Sequence, residues 1–233
     1  MRAVIVGTGG IGTAVARRLA ADGAEVVAVH HRHPSEEFPS VPVDARLPGD
    51  VARAFAETGP FDTLVVTTGH RHDMDFFVNQ DAEVTADILA TELTGPMNLV
   101  RGALQVFSEH GGDRGRIVII GSDSGKAGTL GDAASSAARA GLMGFVRSIA
   151  RETARTDITI NIVSPGPTDT PLLTGMLEGG GLAGKVMAGT VRAIPKGRTG
   201  TAEEIAEAVA YFVGPHSGFT TGQVLSVSGG LTM

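Results

Sequence analysis

Short apolar runs rich in β-branched residues alternate along this chain with stretches of helical periodicity. The runs at 2–6, 25–30, 41–43, 62–67, 115–121, 157–163 and 223–227 read as strands. The stretches at 11–22, 48–57, 83–109, 132–155 and 201–213 read as helices. The runs are mostly apolar and rich in Val and Ile, as in strands covered on both faces. Strands and helices taking turns predict βαβ units, hence an α/β fold with a doubly wound parallel sheet flanked by helices on both faces. Residues 170–197 break the pattern. They are rich in Gly, Met and Leu, show no strand, and are long for a connection. Such a segment is expected to be a mobile loop that serves as a lid or binding loop. No repeat, linker or charge block interrupts the rest, so residues 1–233 are expected to form a single domain carrying that lid.

Composition narrows the function classes. At 233 residues, 42% hydrophobic and 19% charged, the chain can bury a sizeable core. A net charge of −6 argues against nucleic acid as a partner, which would require a basic footprint. Cys is absent, which excludes disulfides, thiolate metal sites and cysteine nucleophiles. No apolar run approaches the ~20 residues of a membrane span. The chain opens directly on a strand candidate, Ala3-Val4-Ile5-Val6, with no signal peptide before it, so a cytoplasmic protein is expected. Tyr occurs once, as Tyr211.

The first strand runs into Gly7-Thr8-Gly9-Gly10-Ile11-Gly12 and then an apolar helix. Gly7, Gly9 and Gly12 match G-x-G-x-x-G, whose glycines allow a tight turn, close approach of a pyrophosphate and close helix–strand packing. The helix N-terminus behind them offers unpaired N–H groups and a positive dipole end to phosphate. In such a site an Asp or Glu at the end of the second strand would hold a ribose 2′-hydroxyl and favour NAD. Here that strand ends in His30-His31-Arg32-His33, with no acid. Arg32 can pair with a 2′-phosphate, so NADP(H) is the expected cofactor, with His31 and Arg32 beside it. Three His in four residues also suggest a metal, but no carboxylate accompanies them and no metal site is expected.

These residues, and others along essentially the whole chain, resemble the short-chain dehydrogenase/reductase family. Asp44 sits where that family has an Asp beside the adenine. Val66-Thr67-Thr68-Gly69 is similar to the segment after strand four, usually Asn-Asn-Ala-Gly. Leu93-Thr94-Gly95 resembles the Asn-Leu-Thr-Gly helix segment without its Asn. Gly115-Arg116-Ile117-Val118 leads into Gly121-Ser122, like the strand that delivers the catalytic Ser. Ser164-Pro165-Gly166-Pro167-Thr168-Asp169-Thr170 is similar to the Pro-Gly turn that holds the nicotinamide. Gly197-Arg198-Thr199-Gly200 before Ala202-Glu203-Glu204-Ile205, and Thr221-Gly222-Gln223-Val224 before Ser228-Gly229-Gly230, complete the likeness. The resemblance implies a Rossmann-type fold and a nicotinamide cofactor held by the glycine loop, Asp44, Thr68, Gly69, Arg139, Pro165, Gly166, Thr168 and Thr170. The glycine loop is one residue shorter than the family's Gly-x-x-x-Gly-x-Gly.

The catalytic set departs further. The family reduces carbonyls with a Ser, a Tyr thirteen residues later, a Lys four beyond that, and an Asn. Counted from Ser122, the Tyr position is Ser135 and the Lys position Arg139, while the Asn position is Glu92. A serine hydroxyl is a far poorer proton donor than a phenol and is shorter. Ser135 and Arg139 are four apart and share a helix face. Arg139 can bond a ribose hydroxyl but cannot give up its proton, and Glu92 adds a carboxylate that could pair with it. Losing the general acid costs ~10²–10⁴ in rate unless another group replaces it. His70, at the end of strand four, is the leading replacement, because imidazole titrates near neutral pH. Asp123, Ser124, His72, Asp73 and Asp75 are further polar neighbours, and Tyr211 reads as a core residue of a late helix.

Three functions remain open at this point. One is an NADP(H)-dependent ketoreductase or alcohol dehydrogenase with a rebuilt acid site. Another is a non-redox cyclase, isomerase or dehydratase on the same scaffold. The third is a catalytically silent nucleotide-binding partner subunit. Fold alone does not choose among them. The resemblance further implies a homodimer or homotetramer paired through the helices near 83–109 and 132–155. Met176, Leu177, Leu182 and Met187 in the expected lid suggest an apolar small-molecule substrate.

Overall fold

A computed structural model describes residues 1–69, 74–110 and 114–233. The strands are β1 (Arg2–Val6), β2 (Glu25–His30), β3 (Ser40–Pro42), β4 (Thr63–Val66), β5 (Arg114–Ile120), β6 (Asp157–Pro165) and β7 (Val224–Val227). The helices are α1 (Gly10–Ala21), α2 (Pro48–Thr58), α3 (Ala82–Leu89), α4 (Gly95–His110), α5 (Ser124–Ala127), α6 (Ala133–Glu152), α7 (Pro171–Gly179), α8 (Gly181–Arg192) and α9 (Ala202–Val213). The strands form one sheet in the order β3-β2-β1-β4-β5-β6-β7, and every neighbouring pair is parallel. This is the doubly wound α/β architecture expected from the alternation of runs.

Side chains alternate across each strand and feed two cores. Val4, Val6, Val27, Val29, Leu64, Val66, Ile117, Ile119, Ile160 and Ile162 point to the face covered by α2, α4 and α6. Ala3, Ile5, Val26, Val65, Val118, Ile120 and Val163 point to the face covered by α1 and α9. Each helix buries a matching stripe. Ile205, Ala206, Val209, Phe212 and Val213 of α9 recur at helical spacing against Val15, Ala16 and Leu19 of α1. Among the described residues no helix is long and apolar enough to cross a membrane.

Two segments differ from the sequence reading. The expected helix at 83–109 is a rod with a π-helical turn, Ala90–Thr94, between α3 and α4. Pro96 explains it. The ring lacks an N–H and would clash with the carbonyl four residues back, at Glu92, so the backbone widens there. The Gly95 N–H reaches back five residues to the Ala90 carbonyl. The segment at 170–197, expected to be an irregular loop, folds instead as the helices α7 and α8. Thr170 caps α7 by accepting from the Leu173 N–H, with Pro171 in the first turn. Gly180, at φ +68°, separates the two helices and Gly181, at φ +61°, opens α8, both with backbone that other residues rarely adopt.

The start of α9 makes one pH-dependent contribution to stability. Thr201 and Glu204 form a reciprocal capping box, and Glu204 also pairs with Arg198 at 2.7 Å. The hydrogen bonds from Arg198 and then from the Thr201 N–H push the Glu204 carboxyl down to about 2. A depressed folded value stabilises the fold above the ordinary carboxylate range, and that stability disappears as pH falls toward the folded value. Glu204→Gln is therefore expected to lower the unfolding midpoint at pH 7, and the difference from wild type should shrink steadily in denaturant titrations run from pH 4.5 toward 2.

Candidate active site

Strand order reverses between β1 and β4, which opens a crevice at the carboxyl ends of the strands. The Thr67 hydroxyl closes the floor by donating to the carbonyls of Val6 (3.0 Å) and Gly7 (3.2 Å). Gly7 turns there at φ +107°. A Cβ on Gly12 would lie 2.0 Å from the Gly7 carbonyl oxygen, so α1 packs against the loop at a distance only glycine permits. Above Gly9 a Cβ would meet nothing within 4 Å. The N-terminus of α1 has no side-chain cap and no acid in its first turn. Its leading N–H groups thus have no side-chain acceptor at the cap, as an anion cradle requires. Thr68 Oγ1 is buried without a hydrogen-bond partner among the described residues, and so is His30 Nδ1. These features fit a dinucleotide pyrophosphate and its ribose.

The other residues that the sequence reading expects on the nucleotide side are placed as follows. Thr8 donates to the His33 carbonyl at 2.6 Å, which ties the short glycine loop to the segment after β2. His31 and Arg32 are exposed, and Arg32 has no ion pair among the described residues. Asp44 lies across from them, with Oδ2 3.9 Å from His31 Nε2. Its carboxylate is already occupied, since Arg46 donates from Nε at 2.9 Å and from Nη2 at 2.7 Å. Those bonds hold the Asp44 carboxyl below its ordinary range. On the other side, Thr168 donates to the Gly166 carbonyl, and Thr170 Cγ2 would come within 3.1 Å of a Cβ on Gly10. The start of α7 therefore meets the glycine loop directly. The Asp123 N–H donates to the Pro165 carbonyl, which joins the end of β5 to the Pro165-Gly166 turn.

Ser122 follows β5 at the head of this crevice. Its Oγ accepts from the Ser124 N–H (3.2 Å) and the Ser124 hydroxyl (3.0 Å), which leaves its own proton available to a ligand. Ser135, Arg139 and Glu92 come together beside the ends of β4 and β5. Arg139 donates to both oxygens of Glu92, from Nη2 at 2.9 Å and from Nε at 3.1 Å. Ser135 donates to Glu92 Oε2 at 2.6 Å. Arg139 also donates to the Ile120 carbonyl (3.0 Å) and the Thr68 carbonyl (3.3 Å). Glu92 is 2% exposed and Arg139 8%. The triad thus spans the π turn, α6 and the ends of β4 and β5. Chemically it offers little acid, because the guanidinium keeps its proton and the Ser135 proton is committed to a carboxylate.

Other candidates lie apart or outside. His70, His72 and Asp73 lie outside the described residues. Tyr211 is half-exposed on α9 and bonds Thr220, whose carbonyl accepts from Asn161 in the middle of β6. Asp123 is buried but turns toward β7, where it accepts from the Ser226 hydroxyl at 3.0 Å. Lys126, absent from the sequence reading, donates to Ser226 at 2.8 Å. Nothing in the spacing of residues 126 and 226 signals that contact, which parallel pairing of β6 and β7 creates.

A parallel sheet with a glycine-lined crevice at its switch point defines a dinucleotide-binding α/β protein. A family model described as enoyl-(acyl carrier protein) reductase matches residues 6–232. The 3-oxoacyl-[acyl-carrier-protein] reductase MabA of Mycobacterium avium is 36% identical over 100% of this chain and 90% of its own length. The FabG reductase of Escherichia coli is 33% identical, covering 96% of this chain and 93% of its own. The acetoacetyl-CoA reductase of Allochromatium vinosum is 34% identical, covering 97% and 96%. A crystal structure of a variant of the actinorhodin polyketide ketoreductase with NADPH superposes with a TM-score of 0.87 at 30% identity, covering 99% of this chain and 96% of that one. The chain belongs to the short-chain dehydrogenase/reductase family of oxidoreductases.

The buried triad gives a test of its own. Glu92→Leu leaves a buried guanidinium without its counter-charge and is expected to cost about 3–5 kcal/mol in denaturant unfolding. Adding Arg139→Met, which removes the orphaned charge and keeps the volume, should recover most of that loss.

Proposed function

We propose that this chain is an NADP(H)-binding oxidoreductase that acts on a carbonyl or alcohol through a non-standard active site. The observation that carries this reading is the contrast between two halves of one crevice. The nucleotide half is uncapped and flanked by Arg32, which has no ion pair among the described residues, while the relay half is filled by Glu92, Arg139 and Ser135 bonded to one another. The glycine loop from Gly7 to Gly12 would take the pyrophosphate, with Ile11 and Thr8 beside it. His31 and Arg32 would take the 2′-phosphate, Asp44 would border the adenine, and Thr68, Gly69, Pro165, Gly166, Thr168 and Thr170 would hold the nicotinamide side. When bound, NADPH supplies a hydride. Ser122, whose proton is uncommitted, holds the substrate oxygen by donating to it. His70 is the proposed acid. Glu92, Ser135 and Arg139 position the ends of β4 and β5, with Arg139 Nη2 3.3 Å from where a Cβ of Gly69 would stand. The α7–α8 segment would close over an apolar substrate.

A second reading draws on the same triad. With Ser135 and Arg139 turned inward, the chain could be a non-redox enzyme or a silent nucleotide-binding subunit. The outcomes separate cleanly. A redox enzyme consumes NADPH with a carbonyl, and Ser122→Ala is expected to lower that rate by ~10²-fold or more. A non-redox enzyme forms product without net cofactor turnover, and a silent subunit does neither. If the missing acid limits the wild type, Ser135→Tyr with Arg139→Lys should raise kcat, provided Glu92→Asn is included to release the pair.

A homodimer or homotetramer is proposed through α4 and α6. Between them runs a groove of about 480 Å³ lined by Met97, Leu104, Phe145 and Ile149, with Arg101 and Glu152 at its edges. An apolar groove edged by both charge signs suits a self-complementary contact. Phe145→Glu is expected to halve the mass measured by light scattering while leaving the circular dichroism spectrum unchanged.

A further inference from the structure

We infer that Leu182 is the residue that sets substrate specificity in this site. Seated on Gly131 beside Met74, it walls the crevice and limits the bulk of the apolar group on the carbonyl carbon. The inference rests on the oxidoreductase reading above and names which residue of the α7–α8 segment does the selecting.

The α7–α8 segment is anchored twice on the chain that leaves the carboxyl ends of the strands. Thr170 Cγ2 stands 3.1 Å from the point a Cβ of Gly10 would occupy. Gly10 follows β1 and Thr170 follows β6, so the chain crosses the carboxyl ends of β4 and β5 to make that contact. At the start of α8, Leu182 Cδ2 lies 2.9 Å from the point a Cβ of Gly131 would occupy, and Met74 Cβ lies 3.5 Å from the same point. Met74 follows β4, and Gly131 follows β5 just before α6. The second anchor therefore belongs to the two strands that deliver Gly69 and Ser122, at the foot of the helix that carries Ser135 and Arg139.

Leu182 can sit there because Gly131 has no side chain. Gly131 is at φ +77°, and any Cβ on it would run into the Leu182 methyl. The Gly131 carbonyl accepts from the Asp75 N–H at 3.1 Å, which holds Met74 at the seat. The Asp75 carboxylate accepts from the Phe76 N–H (2.7 Å) and the Asn79 amide (3.1 Å), and so braces the chain beyond Met74. Met74 is buried, while Leu182 is half-buried and keeps part of its surface accessible. Leu182 does not recede alone. A Cβ on Gly184 would lie 3.2 Å from the Met176 carbonyl oxygen and 3.4 Å from that of Leu177, so α8 rests closely on α7. A wall of aliphatic side chains braced by backbone contacts offers a substrate no strong hydrogen bond. It selects by volume, and pockets of that kind discriminate by roughly 10- to 200-fold.

The test uses the full chain and methyl ketones of rising bulk: butanone, methyl isopropyl ketone and pinacolone. Their affinity for the NADP⁺ complex is read by saturation-transfer NMR, and kcat/KM is measured with NADPH. The wild type is expected to favour butanone over pinacolone by about tenfold or more in both readouts. Leu182→Ala should bring that ratio close to one, and Leu182→Met, which conserves volume, should keep it. Gly131→Ala displaces Leu182 and should lower the ratio as well. A residue that only holds the fold would change all the ketones alike. NADPH binding by each variant reports that the crevice is intact. Turnover without the preference in the wild type, or with a preference that Leu182→Ala leaves intact, overturns the inference and leaves the oxidoreductase reading standing. Ketone binding with the expected pattern but no hydride transfer overturns that reading and keeps the wall. Binding of none of the ketones to a protein that holds NADP⁺ overturns both.

Discussion

A guanidinium taken out of water needs an opposite charge and a partner for nearly every N–H it carries. Arg139 meets that demand by drawing four parts of the chain to one point. Glu92 on the π turn supplies the charge, and the carbonyls of Ile120 and Thr68 take further protons. Those carbonyls belong to the ends of β5 and β4, the strands that deliver Ser122 and the nucleotide-facing Thr68-Gly69. The constraint that makes the burial tolerable therefore also fixes the walls of the crevice. It does so with groups that cannot pass a proton, which is why the same residues hold the scaffold firmly and leave the chemistry to others.

The nucleotide side obeys a different logic. There, polar groups are left unmet rather than satisfied. Among the described residues, the N-terminus of α1 has no side-chain cap, the Thr68 hydroxyl no hydrogen-bond partner and Arg32 no ion pair, and such groups are costly or idle without a ligand. Beside them, Gly7, Gly12 and Thr67 pack so closely that the loop can take one course only.

Much of this was legible before any coordinates. Parallel strands covered on both faces are rich in β-branched apolar residues, so β1 to β7 could be read within a residue or two. The glycine loop was legible because its spacing follows from steric necessity. The π turn was not, because α3 and α4 share one apolar periodicity and only the clash of Pro96 with the Glu92 carbonyl interrupts it. The helices α7 and α8 were hidden by their glycines, which lower helix propensity, while the Thr170 cap and the Gly180-Gly181 break that define them are local details. The partnership of Glu92 with Arg139, 47 residues apart, could be suggested from the substituted positions. The commitment of Ser135 to Glu92, and of Arg139 to two backbone carbonyls, depends on how the strand ends meet in space.

The central claim is that hydride chemistry survives in a crevice whose relay positions serve the fold. It is tested most directly by following deuterium from NADPH labelled at the nicotinamide C4 into the products of a carbonyl panel, by mass spectrometry. The account predicts label in an alcohol product from the wild type and from Ser135→Ala, appearing ~10²-fold or more slowly from Ser122→Ala. Tight NADPH binding with no transfer to any carbonyl, or transfer that disappears with Ser135→Ala while the fold is kept, would contradict it.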